Sequence, residues 1–333
     1  MPNPLLKLVL PDRVRDTQAR RTLQALSRTL AGSSVQAGQR LTRTVPTLLP
    51  KVLLAQPPVS KRTAVQAAQS LNRASGILAF SVLTDSALEH YRGSFRNKAM
   101  YTPLVVSSLA LAASVHGTAD GRSGAHLARD VIYALTAVTG VIGTGFHIYN
   151  IGSRAGGFRW LNFFYRAPIG APMAISISGA LGVISERLRN ARTGDTPKLF
   201  GVGTGEALAL FTTASLAGTS GEAWLLHFRG NFQNPFMYIP VTIPPAAGAL
   251  LADAAIRGGA ARRKAARVGL IATAAAGLAG TGFHAWGIAR MMGGWRNWTQ
   301  NLLDGPPVPT PPAFTGLALA GLAALDLLER HDD

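Results

Sequence analysis

The sequence predicts an all-α integral membrane protein: eight transmembrane helices in two tandem-duplicated four-helix bundles, preceded by a basic N-terminal region. Three observations carry this expectation. Only 15% of the 333 residues are charged, where a soluble domain usually carries nearer 25%. Apolar residues gather into eight segments, each near the ~20 residues that span a bilayer. Two blocks of the chain then recur at a single offset.

Residues 1–73 are polar and basic. Leu23, Leu26 and Leu30 fall on one helical face with Arg20, Arg21 and Arg28 nearby, which reads as an amphipathic helix at a membrane surface or against a partner. The proline-punctuated stretch 45–61 does not read as one helix. No cleavable signal peptide is visible, because the run from Leu5 to Leu10 is short and holds Lys7. The apolar segments follow at 74–92, 102–118, 128–150 and 168–187, then at 204–228, 239–256, 267–290 and 310–328. Pro103, Pro168, Pro240 and the cluster Pro309, Pro311 and Pro312 open four of them, where a missing N–H has no intrahelical partner.

The recurrence is direct. HYRGSFRNKAMYTP at 90–103 matches HFRGNFQNPFMYIP at 227–240 in eight of fourteen positions, at an offset of 137. GVIGTGFHIYNIGSRAGGFR at 140–159 matches GLAGTGFHAWGIARMMGGWR at 277–296 in ten of twenty, again at 137. The chain therefore divides into the N-terminal region 1–73, a first bundle at 74–190 and a second at 204–330. Four helices per unit give the two halves parallel topology.

Net charge is +17. No nucleic-acid-binding motif accompanies it, and long apolar stretches split the basic residues, so membrane lipid is the expected counter-charge. Twenty-four Lys and Arg lie on the N-terminal side of the predicted topology and nine on the other. That places both termini in the cytoplasm of a bacterial inner membrane. The loops 93–101, 151–167, 229–238 and 291–308 then face outward. They are rich in aromatic residues and offer docking surface for an extracytoplasmic redox subunit. The absence of cysteine excludes disulfides, Cys-ligated iron–sulfur clusters and covalent haem attachment within the chain.

Titratable residues inside predicted spans are costly, about 2.5–3.5 kcal/mol each on insertion scales. Here the cost recurs in both halves: Asp85 aligns with Glu222, His90 with His227, and His147 with His284. Three chemistries use such residues. Carboxylate and imidazole can hydrogen-bond a quinone head group and exchange its protons. The set for this is Asp85, Glu89, His90, His147, Tyr149 and Asn150, with Glu222, His227 and His284 as second-half counterparts. Alternatively His90 with His147, and His227 with His284, ligate two b-type haems, the small Gly-Thr-Gly before each of His147 and His284 letting a porphyrin approach. A metal site ranks last, for want of ligand spacing. The first half carries the fuller polar set, since Leu226, Trp286 and Gly287 replace Glu89, Tyr149 and Asn150. A transporter built from duplicated halves is a further alternative.

FHIYNIGSRAGGFRWLNFFYRAPIGAPMAISISGAL, residues 146–181, resembles the polysulfide reductase and DMSO reductase membrane-anchor superfamily. The carrying residues are Ile151–Gly152, then Phe158, Trp160 and Asn162, then Ala171–Pro172–Met173. Gly152 is followed by Ser153–Arg154, where that family has a proline two residues on. The resemblance implies two fused four-helix bundles and a membrane anchor subunit of a respiratory oxidoreductase complex. It also implies electron exchange with the quinone pool and a quinone site near His147 and the outward loop.

Overall fold

The computed structural model describes residues 60–165, 168–191, 198–199 and 201–329. The predicted amphipathic helix around Leu23–Leu30 and most of the basic N-terminal region lie outside these residues. The described chain is all-helical apart from a two-residue β-ladder, β1 (Lys198–Leu199) antiparallel to β2 (Val202–Gly203).

Eight long helices carry the architecture: α1 (Lys61–Arg92), α2 (Thr102–Ala119), α3 (Leu127–Gly152), α5 (Gly170–Arg189), α6 (Thr204–Arg229), α7 (Ile239–Arg257), α8 (Ala260–Ala289) and α10 (Pro312–Glu329). Two short ones, α4 (Trp160–Tyr165) and α9 (Trp298–Asp304), sit in connections. The first helix begins well before residue 74. Ser60 caps it by accepting the N–H of Thr63 at 3.2 Å, and Ala64, Ala67, Ala68 and Leu71 bury a continuous face. Basic residues at 61–73 hide this start from a hydropathy reading, because they occupy only the other face.

Packing forms two rings of four. In the first, α1 packs on α2, α2 on α3, α3 on α5 and α5 back on α1; in the second, α6, α7, α8 and α10 do the same. The rings are joined along α1 and α10, while α5 and α6 barely touch. Five stretches are long and apolar enough to cross a membrane: Lys98–Ala119, Leu127–Gly152, Pro235–Arg257, Ala260–Ala289 and Pro312–Glu329. Four of these bury only 17–28% of their apolar window, and their large hydrophobic side chains point away from the protein. On α3 these include Leu127, Leu135 and Val141. A soluble protein hides such a face, so these helices are built for a lipid solvent.

The repeated sequence blocks fold alike, residue for residue. Gly93 and Gly230 end α1 and α6. The next pairs, Ser94–Phe95 and Asn231–Phe232, take φ of 57° and 45°, and 57° and 43°. Each non-glycine pair in this left-handed region bears a local cost, held by the hydrogen bonds Phe95 N–H to His90 O and Phe232 N–H to His227 O, both 3.0 Å. Phe95 stacks on Tyr101 at 4.4 Å and Phe232 on Tyr238 at 4.6 Å. Asn97 and Asn234 cap the following turns through N–H groups of Ala99 and Phe236. In the second block, Gly140 lies against Ser176 N and Pro172 O, and Gly277 against Thr315 N and Pro311 O. Gly143 and Gly280 meet Pro172 and Pro311. The Gly-x-x-Gly spacing therefore serves close helix packing. Gly145 and Gly282, by contrast, face open space.

Candidate functional site

The first bundle encloses a polar column at its basic end. Arg129 clamps Glu186 with two bonds, Nε to Oε1 at 2.9 Å and Nη2 to Oε2 at 3.1 Å. Its Nη1 donates to Asp120 Oδ2 at 2.9 Å. Arg189 donates to the carbonyls of Gly117, Asp120 and Arg122, closing the end of α2 against the end of α5. Asp120 lies in the loop. Hydrogen bonds from Arg122 and Arg129 hold its carboxyl well below the usual carboxylate range. Further in, the Tyr133 hydroxyl donates to Asn72, and Ser114, Ser75 and Ser178 continue the chain at 2.8–3.2 Å. Gly182 lies under the Tyr133 ring, where a Cβ would collide with it. Sequence reading passed over this column. Its one signal was the opposite charge of Arg129 and Glu186 at the ends of neighbouring segments.

The other end holds a cavity of about 2110 Å³ between the two rings, where α5 and α6 separate. Its apolar lining includes Ile177, Phe211 and Phe314. Polar groups gather towards the aromatic end: Asp85, Glu89 and Arg92 from α1, Glu222, His227 and Arg229 from α6, and His284 and Arg290 from α8. Among the described residues, two polar atoms on this wall are buried without a partner: Glu222 Oε1 and Arg229 Nε. Arg229 is positioned from outside the cavity. Its Nη2 donates to Phe163 O at 3.0 Å and its guanidinium lies over the Phe164 ring. Phe164 belongs to a cluster with Trp160, Trp224 and Phe228 that ties α4 to α6.

The predicted site residues divide. Asp85, Glu89, Glu222, His227 and His284 line the cavity. His90, His147, Tyr149 and Asn150 are not among its lining residues. His90 shares a hydrogen bond through Nδ1 with Met100 O at 2.6 Å, tying α1 to the next turn. His147 does so with Pro168 O at 2.6 Å and His284 with Pro307 O at 2.8 Å, tying α3 and α8 to the segments that enter α5 and α10. Tyr149 is 69% exposed on the lipid-type face of α3. The polar set that converges is drawn from both halves, not from the first alone. Arg92, Arg229 and Gly170 were missed, because their role arises from helix ends meeting across the two rings. Among the described residues no group of three or more His, Cys, Asp or Glu side chains forms a metal site.

Several aromatics expected to anchor a partner are used within the chain. Phe95 and Phe232 stack on their own turns, Phe236 stacks on Phe283 at 4.8 Å, and Phe158 packs on Gly152. Trp160, Tyr165, Trp295 and Trp298 keep large exposed faces. In comparisons with known proteins, no family model matches the chain, and no curated protein or solved structure matches it.

Proposed function

We propose that the protein is an eight-span membrane subunit built by tandem duplication of a four-helix unit. It binds a quinone between its halves and serves as a membrane anchor in a respiratory oxidoreductase complex. The observation that carries this reading is the cavity. It has an apolar wall for an isoprenoid tail and a polar end where the carboxyls of Asp85, Glu89 and Glu222 meet two histidines. The gap between α5 and α6 gives a lipid-soluble ligand a route from the bilayer.

The duplication is supported by the matched turns, cap residues and glycine contacts at offset 137. α1, α5 and α6 are the long helices outside the five most apolar stretches. Apart from Arg73 of α1, they bear their charges near their ends and at the cavity, as central spans of a bundle would. Basic residues at the end opposite the cavity support cytoplasmic termini, with the cavity near the outer face. The exposed Trp160, Tyr165, Trp295 and Trp298 surround that face and are the proposed contacts for a redox subunit. Having no cysteine, this chain leaves iron–sulfur chemistry to that partner. Saturable binding of a short-chain quinol by the purified protein tests the reading, and its absence refutes it.

A second reading has its own support. His90, His147 and His284 each turn Nδ1 towards a backbone carbonyl. That contact makes Nδ1 the protonated nitrogen and leaves Nε2 available to a metal, the arrangement that orients haem-ligating histidines. An optical spectrum of the purified protein decides: a Soret band with α and β bands establishes b-type haem, and a featureless visible region removes it.

A further inference from the structure

The two carboxyls that face one another across the cavity, Asp85 and Glu222, occupy equivalent positions at offset 137, yet their surroundings differ. Glu222 is held. Its carboxylate lies against Gly170, the first residue of α5. A Cβ at 170 would come within 3.0 Å of Glu222 Cγ and 3.3 Å of Oε2. Glu222 thus sits at the N-terminus of a 20-residue helix from the other half, where unsatisfied N–H groups and the helix dipole favour negative charge.

Asp85 lines the cavity together with the corresponding entry to α10, at Pro306, Pro307, Thr310 and Pro311. Ser81, one turn earlier on α1, reaches this segment by donating to Pro309 O at 2.6 Å. Residues 306–312 read PPVPTPP, so only Val308 and Thr310 have a backbone N–H. The Thr310 N–H is already donated to Pro307 O at 3.2 Å. Among the described residues no hydrogen bond or ion pair reaches the Asp85 carboxyl. Within its own helix, Arg92 pairs with Glu89 at 3.0 Å. The charged groups acting on Asp85 are Glu89, Glu222 and Arg92; the rest of the wall contributes His227, Arg229, His284, Arg290 and Asp304.

We infer that Asp85 is the carboxyl that meets the ligand, and that Glu222 is a positioning residue locked to α5. The inference rests on the quinone reading for its ligand class: a molecule with a hydroxyl on its head group, donating to Asp85, and with an apolar tail along α3 and α6. The proline-rich entry to α10 is what keeps Asp85 unsatisfied until such a hydroxyl arrives.

The lipophilic carbodiimide dicyclohexylcarbodiimide separates the two residues. It adds whole to a protonated carboxyl in an apolar site: the carboxyl proton goes to nitrogen and the carboxyl oxygen bonds the central carbon, with rearrangement to a stable N-acylurea. Wild-type protein in detergent is treated, digested and mapped by mass spectrometry. The expected label is on Asp85, with Glu222 unmodified. Asp85→Asn loses the label, and Glu222→Gln keeps it. Label on Glu222 in preference to Asp85, on both alike, or on neither overturns the inference, and the wild-type map gives that answer even if a variant fails to fold. Decylubiquinol added beforehand should protect Asp85. Labelling of Asp85 undiminished by the quinol keeps the asymmetry but refutes the quinone reading.

Discussion

The two four-helix rings share a packing order and matched turns but not a core. At offset 137, Asn72, Ser114, Arg129 and Tyr133 of the first ring face Ala209, Leu251, Ala266 and Leu270 of the second, all fully buried or nearly so. In α10 the offset becomes 139, shown by Pro311 and Thr315 taking the places of Pro172 and Ser176 against Gly277 and Gly140. Ser178, Glu186 and Arg189 then correspond to Leu317, Leu325 and Leu328. The same frame is closed by hydrogen bonds and ion pairs in one half and by aliphatic packing in the other. The end away from the cavity is therefore free to vary in chemistry. Capping turns, glycine crossings, the carbonyl contacts of His147 and His284 and the paired carboxyls at the cavity end recur in kind. What the halves have in common marks the site, and what they do not share marks the scaffold.

The largest effect should come from importing one second-ring residue into the first. Glu186→Leu leaves Arg129 and Arg189 buried without their shared carboxylate, and should cost on the order of 3–5 kcal/mol. Thermal unfolding in detergent reads it. The triple exchange Arg129→Ala, Glu186→Leu, Arg189→Leu removes the charges together and should cost less than the single change. If the triple variant is the less stable, the comparison of cores fails. A smaller loss, about 1–3 kcal/mol, is expected for Tyr133→Leu, which strands Asn72 and Ser114. Adding Asn72→Ala should return part of it, because the buried Asn72 oxygen is then no longer orphaned.

The smallest effect is pH-dependent. The folded Asp120 carboxyl titrates below its unfolded value. Its contribution is therefore present above the unfolded pKa, about 3.9, and is lost as pH falls through the lower folded value. Asp120→Asn should be less stable than wild type at pH 7, with the gap closing only below about pH 4. A gap that closes between pH 7 and pH 5 would mean another group sets it.

The long helices were legible because length and apolar composition report on lipid-facing stretches such as α3 directly, but α8 starts at Ala260, ahead of its expected segment, because Arg262, Arg263 and Lys264 occupy its first turns. The start of α1 was not, since its first turns hide an alanine face under basic residues. The repeat block ending at Pro103 was legible as a repeat, but its identities mostly serve a turn. His90, Gly93, Phe95, Asn97, Met100 and Tyr101 all contact one another or cap the backbone there. Asp85 and Glu222 were legible as costly residues in apolar segments. That they share one cavity was not, because it depends on how two rings meet, and no local pattern records that. The offset of 139 in α10 escaped for a similar reason: a two-residue insertion between Gly294 and Asn301 breaks the register, while Asn162 and Asn301 keep equivalent bonds to their preceding loops.

Photo-crosslinking with an azido-quinone, in membranes containing the protein and with cross-linked peptides identified by mass spectrometry, tests the central claim most directly. The account predicts saturable labelling of peptides from α1, α6 and α8 around Asp85, Glu222 and His284, competed by unmodified quinol. Labelling confined to the lipid-facing surfaces of α2 and α7, or not competed by quinol, would contradict it.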